Sequence, residues 1–207
     1  MKKGSMNIPN ILSLLRCALV PAFVATLLLI DTGSVLSIII PTILYAITAL
    51  TDMLDGKIAR KYNLVTDFGK FIDPLADKFM VISSAIAILV WMLLRNEITL
   101  ALVFVFVVLV ILLRELGVTS LRLVVANKSG VVVAASLLGK IKTVSQMVGT
   151  VLILLEPLLL YAEGTFLYTI ADYNIISYVM MAIMTFTTLF SGIDYLKAYL
   201  PYIDTNN

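Results

Sequence analysis

No histidine occurs anywhere in this chain, and cysteine occurs once, at Cys17. The first absence excludes every imidazole-based mechanism and every histidine-containing metal site. A single thiol cannot build a disulfide framework, and Cys17 within an apolar run reads as an inert buried thiol. Any metal must therefore be held by oxygen, which selects hard cations such as Mg²⁺ or Mn²⁺. Charge is scarce too: 14% of the 207 residues are charged and 61% are hydrophobic. Soluble domains carry roughly 25% charge, so with a mean hydropathy of +1.06 this is a membrane protein. A net charge of +2, with basic residues scattered along the chain, supplies no basic arm or aromatic-interleaved patch. Nucleic acid is excluded as a partner.

What the chain has is apolar runs free of charge, at 17–30, 34–51, 79–94, 98–113, 143–155 and 173–193. Each extends into flanking polar helix. Together they predict an all-α integral membrane protein with six transmembrane helices, at 8–30, 34–59, 69–94, 98–124, 139–162 and 173–199. A turn is expected over 61–68, and a longer connection over 125–138, which holds Asn127-Lys128-Ser129-Gly130. Gly4-Ser5 ahead of a second methionine reads as a cloning scar, residues 1–5, before one membrane domain spanning 6–207. The first apolar stretch has no small-residue cleavage site and reads as a retained helix. Trp91 and the tyrosines near span ends are expected to anchor at the membrane interface.

Six spans put both termini on one side, together with the connections after the second and fourth helices. Of the 15 lysines and arginines, 14 fall on that side, and Arg95 is the exception. The positive-inside rule then places the termini, and a polar cavity beside them, in the cytoplasm.

On that side lies a cluster of carboxylates with fixed spacing: Asp52-x-x-Asp55-Gly56-x-x-Ala59-Arg60, eight residues, Gly69-x-x-x-Asp73-x-x-x-Asp77. Four bare aspartates in a membrane would cost on the order of 10 kcal/mol. Something cationic must sit among them. Asp52 and Asp55 share a helix face, as do Asp73 and Asp77, and a turn between the two helices lets the faces meet. Four carboxylates offer enough oxygen for two divalent ions, a pair that can clamp a phosphoanhydride. Gly56 and Gly69 remove side chains where helix ends approach a ligand, and Arg60 adds a planar fork suited to phosphate. The blander reading has these aspartates capping helices and pairing with Lys57, Arg60, Lys70 and Lys78. It accounts for one aspartate easily, but not for all eight positions at once.

The string resembles the motif of the CDP-alcohol phosphotransferases at each of those positions. The resemblance implies a six-helix membrane enzyme, usually a homodimer, that displaces CMP from a CDP-linked donor with an alcohol hydroxyl. It further implies two divalent cations, Mg²⁺ or Mn²⁺, held by Asp52, Asp55, Asp73 and Asp77, with Asp77 also the general base. Asp52, Gly56, Ala59, Arg60 and Gly69 would then shape the CDP pocket.

The motif leaves the acceptor open. Arg114, Arg122, Lys140 and Lys142 are four cations in the same compartment, and such a cluster suits a phosphate-bearing acceptor better than a neutral one. Any one of them could equally reflect the positive-inside bias. The stretch Arg114-Glu115…Leu121-Arg122…Gly139-Lys140-x-Lys142-Thr143-x-x-Gln146 is similar to the bacterial branch of the family that joins CDP-diacylglycerol to glycerol 3-phosphate. So is the opening Asn7-Ile8-Pro9-Asn10-Ile11-Leu12-Ser13-Leu14-Leu15-Arg16, where Ser13 keeps the hydroxyl of the more usual threonine. That branch implies the bacterial cytoplasmic membrane and its lipid as surroundings. Asn10 and Arg16 join the candidates for substrate or headgroup contact, and Glu115 is expected to orient Arg114. Phosphatidylglycerol and inositol phosphate are the alternative acceptors. A small cation transporter is the rival of another class, but all four aspartates lie at one membrane face and not along a path.

Overall fold

The computed structural model describes residues 7–30, 34–61, 66–129 and 136–202, with the side chains of 8, 9, 53–61, 67, 70 and 129 outside that description. Among the described residues there are seven α-helices: α1 (Ile8–Leu29), α2 (Leu36–Lys61), α3 (Asp67–Leu94), α4 (Ile98–Ser129), α5 (Leu137–Leu155), α6 (Phe166–Asp172) and α7 (Ile175–Tyr199). Two 3₁₀ segments, Glu156–Tyr161 and Leu200–Tyr202, follow α5 and α7, and no strand occurs among the described residues.

Among the described residues, five stretches are long and apolar enough to cross a membrane: Asn10–Leu29, Phe71–Leu94, Ile98–Lys128, Leu137–Tyr161 and Ile175–Tyr202. The sixth expected span falls on α2, whose apolar part is the shorter Leu36–Asp52. Along α4, Leu102, Phe106, Leu109 and Leu113 repeat at helical spacing and stay 55–77% exposed. In water such a stripe would demand a partner, whereas lipid tails solvate it without cost.

Several helix starts are set by local chemistry. Asn7 caps α1 by accepting from the Asn10 amide at 3.1 Å, with Pro9 in the first turn, where its missing N–H costs nothing. Thr66 and Ser136 cap α3 and α5 in the same way, accepting from Gly69 N and Gly139 N. The prolines inside α1, α2 and α3 (Pro21, Pro41 and Pro74) each remove one backbone bond.

The chain forms two compact units, Met1–Ala101 and Leu102–Asn207. In the first, α1 packs against both α2 and α3, burying Val20, Phe23 and Leu27, with the Phe23 and Tyr45 rings 5.4 Å apart. In the second, α5 packs along α7. Gly149 makes that approach feasible, because a Cβ there would lie 2.7 Å from Met184 Sδ. Met180, Met181 and Met184 fill the seam as buried packing residues.

Three expectations need correction. The connection expected from residue 125 is helical through Ser129, because Val125 is fully buried in a cluster with Val118, Tyr195 and Tyr199. Lys128 in the last turn also suits the negative end of the helix dipole. The fifth helix, expected through residue 162, gives way to the 3₁₀ turn at Glu156–Tyr161, and the link expected between the fifth and sixth spans holds α6. There Glu156 accepts from Ile176 N at 2.7 Å, from Ser177 N at 2.8 Å and from Ser177 Oγ, pinning the start of α7. Trp91 is not an exposed anchor but 3% exposed, with the Arg95 guanidinium 5.1 Å from its ring centre. Cys17 is half-buried.

Candidate active site

Along α1, Asn10, Ser13 and Arg16 stand three residues apart, so they share a face, and their exposures are 1%, 0% and 0%. Three buried polar side chains on an apolar helix need partners. α3 supplies them in register. Asn10 Nδ2 donates to Thr66 Oγ1 at 2.9 Å, Ser13 Oγ donates to Asp73 Oδ1 at 2.5 Å, and Arg16 Nη1 donates to Asp77 Oδ1. The same Arg16 nitrogen lies 2.6 Å from Asp52 Oδ1 on α2. One face of α1 therefore ties together three of the four motif aspartates.

Gly69 belongs to this seam. A Cβ at that position would stand 2.7 Å from Asn10 Oδ1 and 3.2 Å from Thr66 Oγ1. Its lack of a side chain is what lets the start of α3 meet α1, a packing reason that stands beside the expected ligand approach.

The donor set is oxygen alone, and it fits a cation. Two carboxylate oxygens from different helices converge on one positive nitrogen. Among the described residues no three carboxylates close around a common point. Asp55 lies three residues beyond Asp52 in α2, and its side chain, with Gly56, Ala59 and Arg60, falls outside the described residues. The Asp52 side chain is 21% exposed and that of Asp77 is 55% exposed, so Asp77 is the more open to an incoming group.

The second unit gathers the opposite charge. Arg114 Nη1 donates to Glu115 Oε1 at 3.0 Å, and Lys142 donates to the same oxygen. Arg114 Nη2 reaches Ser191 Oγ at 2.8 Å. Tyr195 on α7 is the platform: the guanidiniums of Arg114 and Arg122 lie 5.4 Å and 5.9 Å from its ring centre. Its hydroxyl accepts from Ser136 N at 3.3 Å, and a Cβ at Gly139 would come within 3.1 Å of that oxygen. Gly139 thus admits Tyr195 to the start of α5. Lys142 is buried, whereas Arg122 and Lys140 are exposed.

The sequence pattern of CDP-alcohol phosphatidyltransferases matches residues 6–191. The chain belongs to that family. It is 38% identical to the CDP-diacylglycerol–glycerol-3-phosphate 3-phosphatidyltransferase of Bacillus subtilis (strain 168), over 97% of this chain and 99% of the relative. It is 34% identical to the probable phosphatidylglycerophosphate synthase of Mycobacterium tuberculosis (strain ATCC 25618 / H37Rv), over 94% of this chain and 82% of the relative. A Rickettsia bellii protein with the first of those names is 34% identical, over 95% and 97% of the two chains.

Within this CDP-alcohol phosphatidyltransferase, the structure brings Asp52, Asp73 and Asp77 to α1, and it joins Arg114 to Lys142 through Glu115. Arg122 reaches the group through the Tyr195 ring, and among the described residues no contact ties Lys140 in. Sequence reasoning missed Ser13 and Thr66 as partners of the site, and Tyr195 and Ser191 altogether. For Ser13 a signal existed: it sits midway in the Asn10–Ser13–Arg16 polar stripe. For the α7 residues the stripe Thr188, Ser191, Tyr195 and Tyr199, all buried, was the available cue.

Proposed function

We propose that this chain transfers the phosphatidyl group of CDP-diacylglycerol to sn-glycerol 3-phosphate, forming phosphatidylglycerol phosphate and CMP. The reading places it in a bacterial cytoplasmic membrane, as a homodimer, with six spans and with termini and site on the cytoplasmic side. It is supported above all by the three aspartates Asp52, Asp73 and Asp77, anchored on α1 in a chain so similar to named glycerol-3-phosphate phosphatidyltransferases.

Asp52, Asp55, Asp73 and Asp77 are the residues that would hold two divalent cations, Mg²⁺ or Mn²⁺, whose chemistry there is to neutralise the pyrophosphate and the leaving CMP. Asp77, the more open carboxylate, accepts the proton from the primary hydroxyl of the acceptor. That oxygen forms a bond to the phosphorus bearing diacylglycerol, and the bond from that phosphorus to the CMP oxygen breaks. Ser13 holds Asp73 in one orientation, so its second oxygen stays directed. Gly56, Ala59, Arg60 and Gly69 serve the CDP portion. Arg114, Arg122, Lys140 and Lys142 take the phosphate of the acceptor, with the guanidiniums of Arg114 and Arg122 preset by Tyr195.

The lipid part of the donor has a seat as well. An apolar groove of about 540 Å³ between α1 and α3 is lined by Val20, Val24, Leu28, Phe79, Ile86 and Val90. It starts four residues beyond Arg16 on α1, next to the polar end, and suits an acyl chain.

The deciding experiment is CMP release from CDP-diacylglycerol by purified protein with Mg²⁺, with and without glycerol 3-phosphate, resolving the lipid product. Release dependent on that acceptor, with phosphatidylglycerol phosphate formed, is the expected result. Release only with phosphatidylglycerol or inositol phosphate would retain the donor chemistry and discard the acceptor assignment.

A further inference from the structure

Arg16 is a fully buried guanidinium with two carboxylates at one of its nitrogens. A guanidinium does not lose its proton in a protein, so it stays a cation there. Asp52 and Asp77 come from different helices and repel each other. Positive charge between them offsets that repulsion, and Arg16 Nη1 is where their Oδ1 atoms meet. A divalent cation held by this pair would draw on those same oxygens.

We infer that Arg16 is a positioning residue acting as a stand-in cation: it gathers Asp52 and Asp77 while no metal is bound and yields both oxygens when a divalent cation arrives. The inference rests on the reading of these aspartates as metal ligands. α1 is built for such an exchange. Asn10 on Thr66, Ser13 on Asp73 and Phe23 on Tyr45 keep the helix docked on its neighbours without any help from Arg16. Only the end of one long side chain has to move. Two consequences follow from competition between cations for one pair of oxygens. The unloaded site is already assembled, and its affinity for metal is lower than the carboxylates alone would give.

Titration of purified protein with Mn²⁺ alone, followed by the electron paramagnetic resonance of free Mn²⁺, tests this directly, with thermal unfolding measured beside it. Arg16→Met removes the charge and keeps an unbranched apolar stem. It should bind Mn²⁺ roughly tenfold or more tightly than the unaltered protein, the size of one charge-assisted hydrogen bond returned to the metal. Its melting temperature should fall without metal and recover when Mn²⁺ is added. Affinity equal to or weaker than that of the unaltered protein would show Arg16 to be a fixed buttress and overturn the inference. If the methionine variant does not fold, Arg16→Gln removes the charge and keeps a polar end for the buried position. It should bind Mn²⁺ more tightly than the unaltered protein, and equal or weaker binding again overturns the inference. Absence of Mn²⁺ binding by the unaltered protein would instead remove the metal reading itself, and this inference with it.

Discussion

The two units solve opposite forms of one electrostatic problem. In the first, Asp52 and Asp77 converge on a single buried cation, Arg16; in the second, Arg114 and Lys142 converge on a single anion, Glu115. Among the described residues, each cluster shows one internal counter-charge and an excess of its own sign. Full neutralisation would have made both inert, and no neutralisation would have made both too costly to bury. An under-compensated cluster is what a charged ligand would complete: on the proposed function, cations for the aspartates and a phosphate for the basic group.

The symmetry breaks most sharply at Asp77, because only the carboxylate side is assigned proton transfer. Asp77→Asn removes the base and a ligand charge while leaving the volume unchanged. Turnover should fall by about 10³-fold or more, the scale of a lost general base, with the protein still folded. A radiolabelled CMP-release assay checks it, and activity within tenfold of the unaltered protein would rule out that role.

Glu115→Gln tests the mirror image. Arg114 and Lys142 would face each other with their shared partner neutralised, in a site where the Lys142 side chain is only 3% exposed. Stability should drop by about 3 kcal/mol, the usual cost of breaking a buried pair from one side. Inorganic phosphate should restore part of the lost melting temperature, because it replaces the missing anion. A melting temperature unchanged by the substitution would mean that Glu115 is not the counter-charge.

How much of this was legible beforehand depended on whether the signal was local. The aspartates, Gly69 and the cation cluster were visible because fixed spacing along one chain encodes them. The apolar runs gave the all-helical membrane class for the same reason. The counter-charges were harder. Glu115 was read as a partner of Arg114, its neighbour in sequence, but its bond to Lys142 spans two helices and no spacing rule encodes it. Arg16 was known as a basic residue on a polar face, yet its partners lie on two helices more than thirty residues away. The boundary of α4 was missed because Val125 owes its helical state to Tyr195 and Tyr199, which arrive only when α7 packs. The Trp91 error has the same origin: position near a span end predicts an anchor, and only tertiary packing turns the ring inward.

Gly69→Ala probes the seam that holds the carboxylate side together. The added methyl would sit 2.7 Å from Asn10 Oδ1, an atom of a buried amide already bonded to Thr66. Separating α1 from α3 by a few tenths of an ångström relieves the clash and lengthens the Ser13–Asp73 and Arg16–Asp77 contacts. The expected cost is about 2 kcal/mol, as for other overpacked contacts, read as a lower melting temperature. Restoration by the double variant Gly69→Ala, Asn10→Ala would locate the strain at that one contact.

The smallest effect should come from Arg122, an exposed member of the basic group, whose contact with it among the described residues is through the face of Tyr195. Arg122→Ala removes a cation that water already solvates, so folding should hardly change. If the guanidinium contributes one charge-assisted contact to the acceptor phosphate, KM for glycerol 3-phosphate should rise about tenfold with kcat nearly constant, the pattern of lost uniform binding. A matching loss in Tyr195→Leu, which removes the platform but keeps the charge, would tie the effect to the preset geometry. A KM unchanged in both variants would leave Arg122 as a topology signal, with Arg114 and Lys142, each bound to Glu115, as the cations that matter.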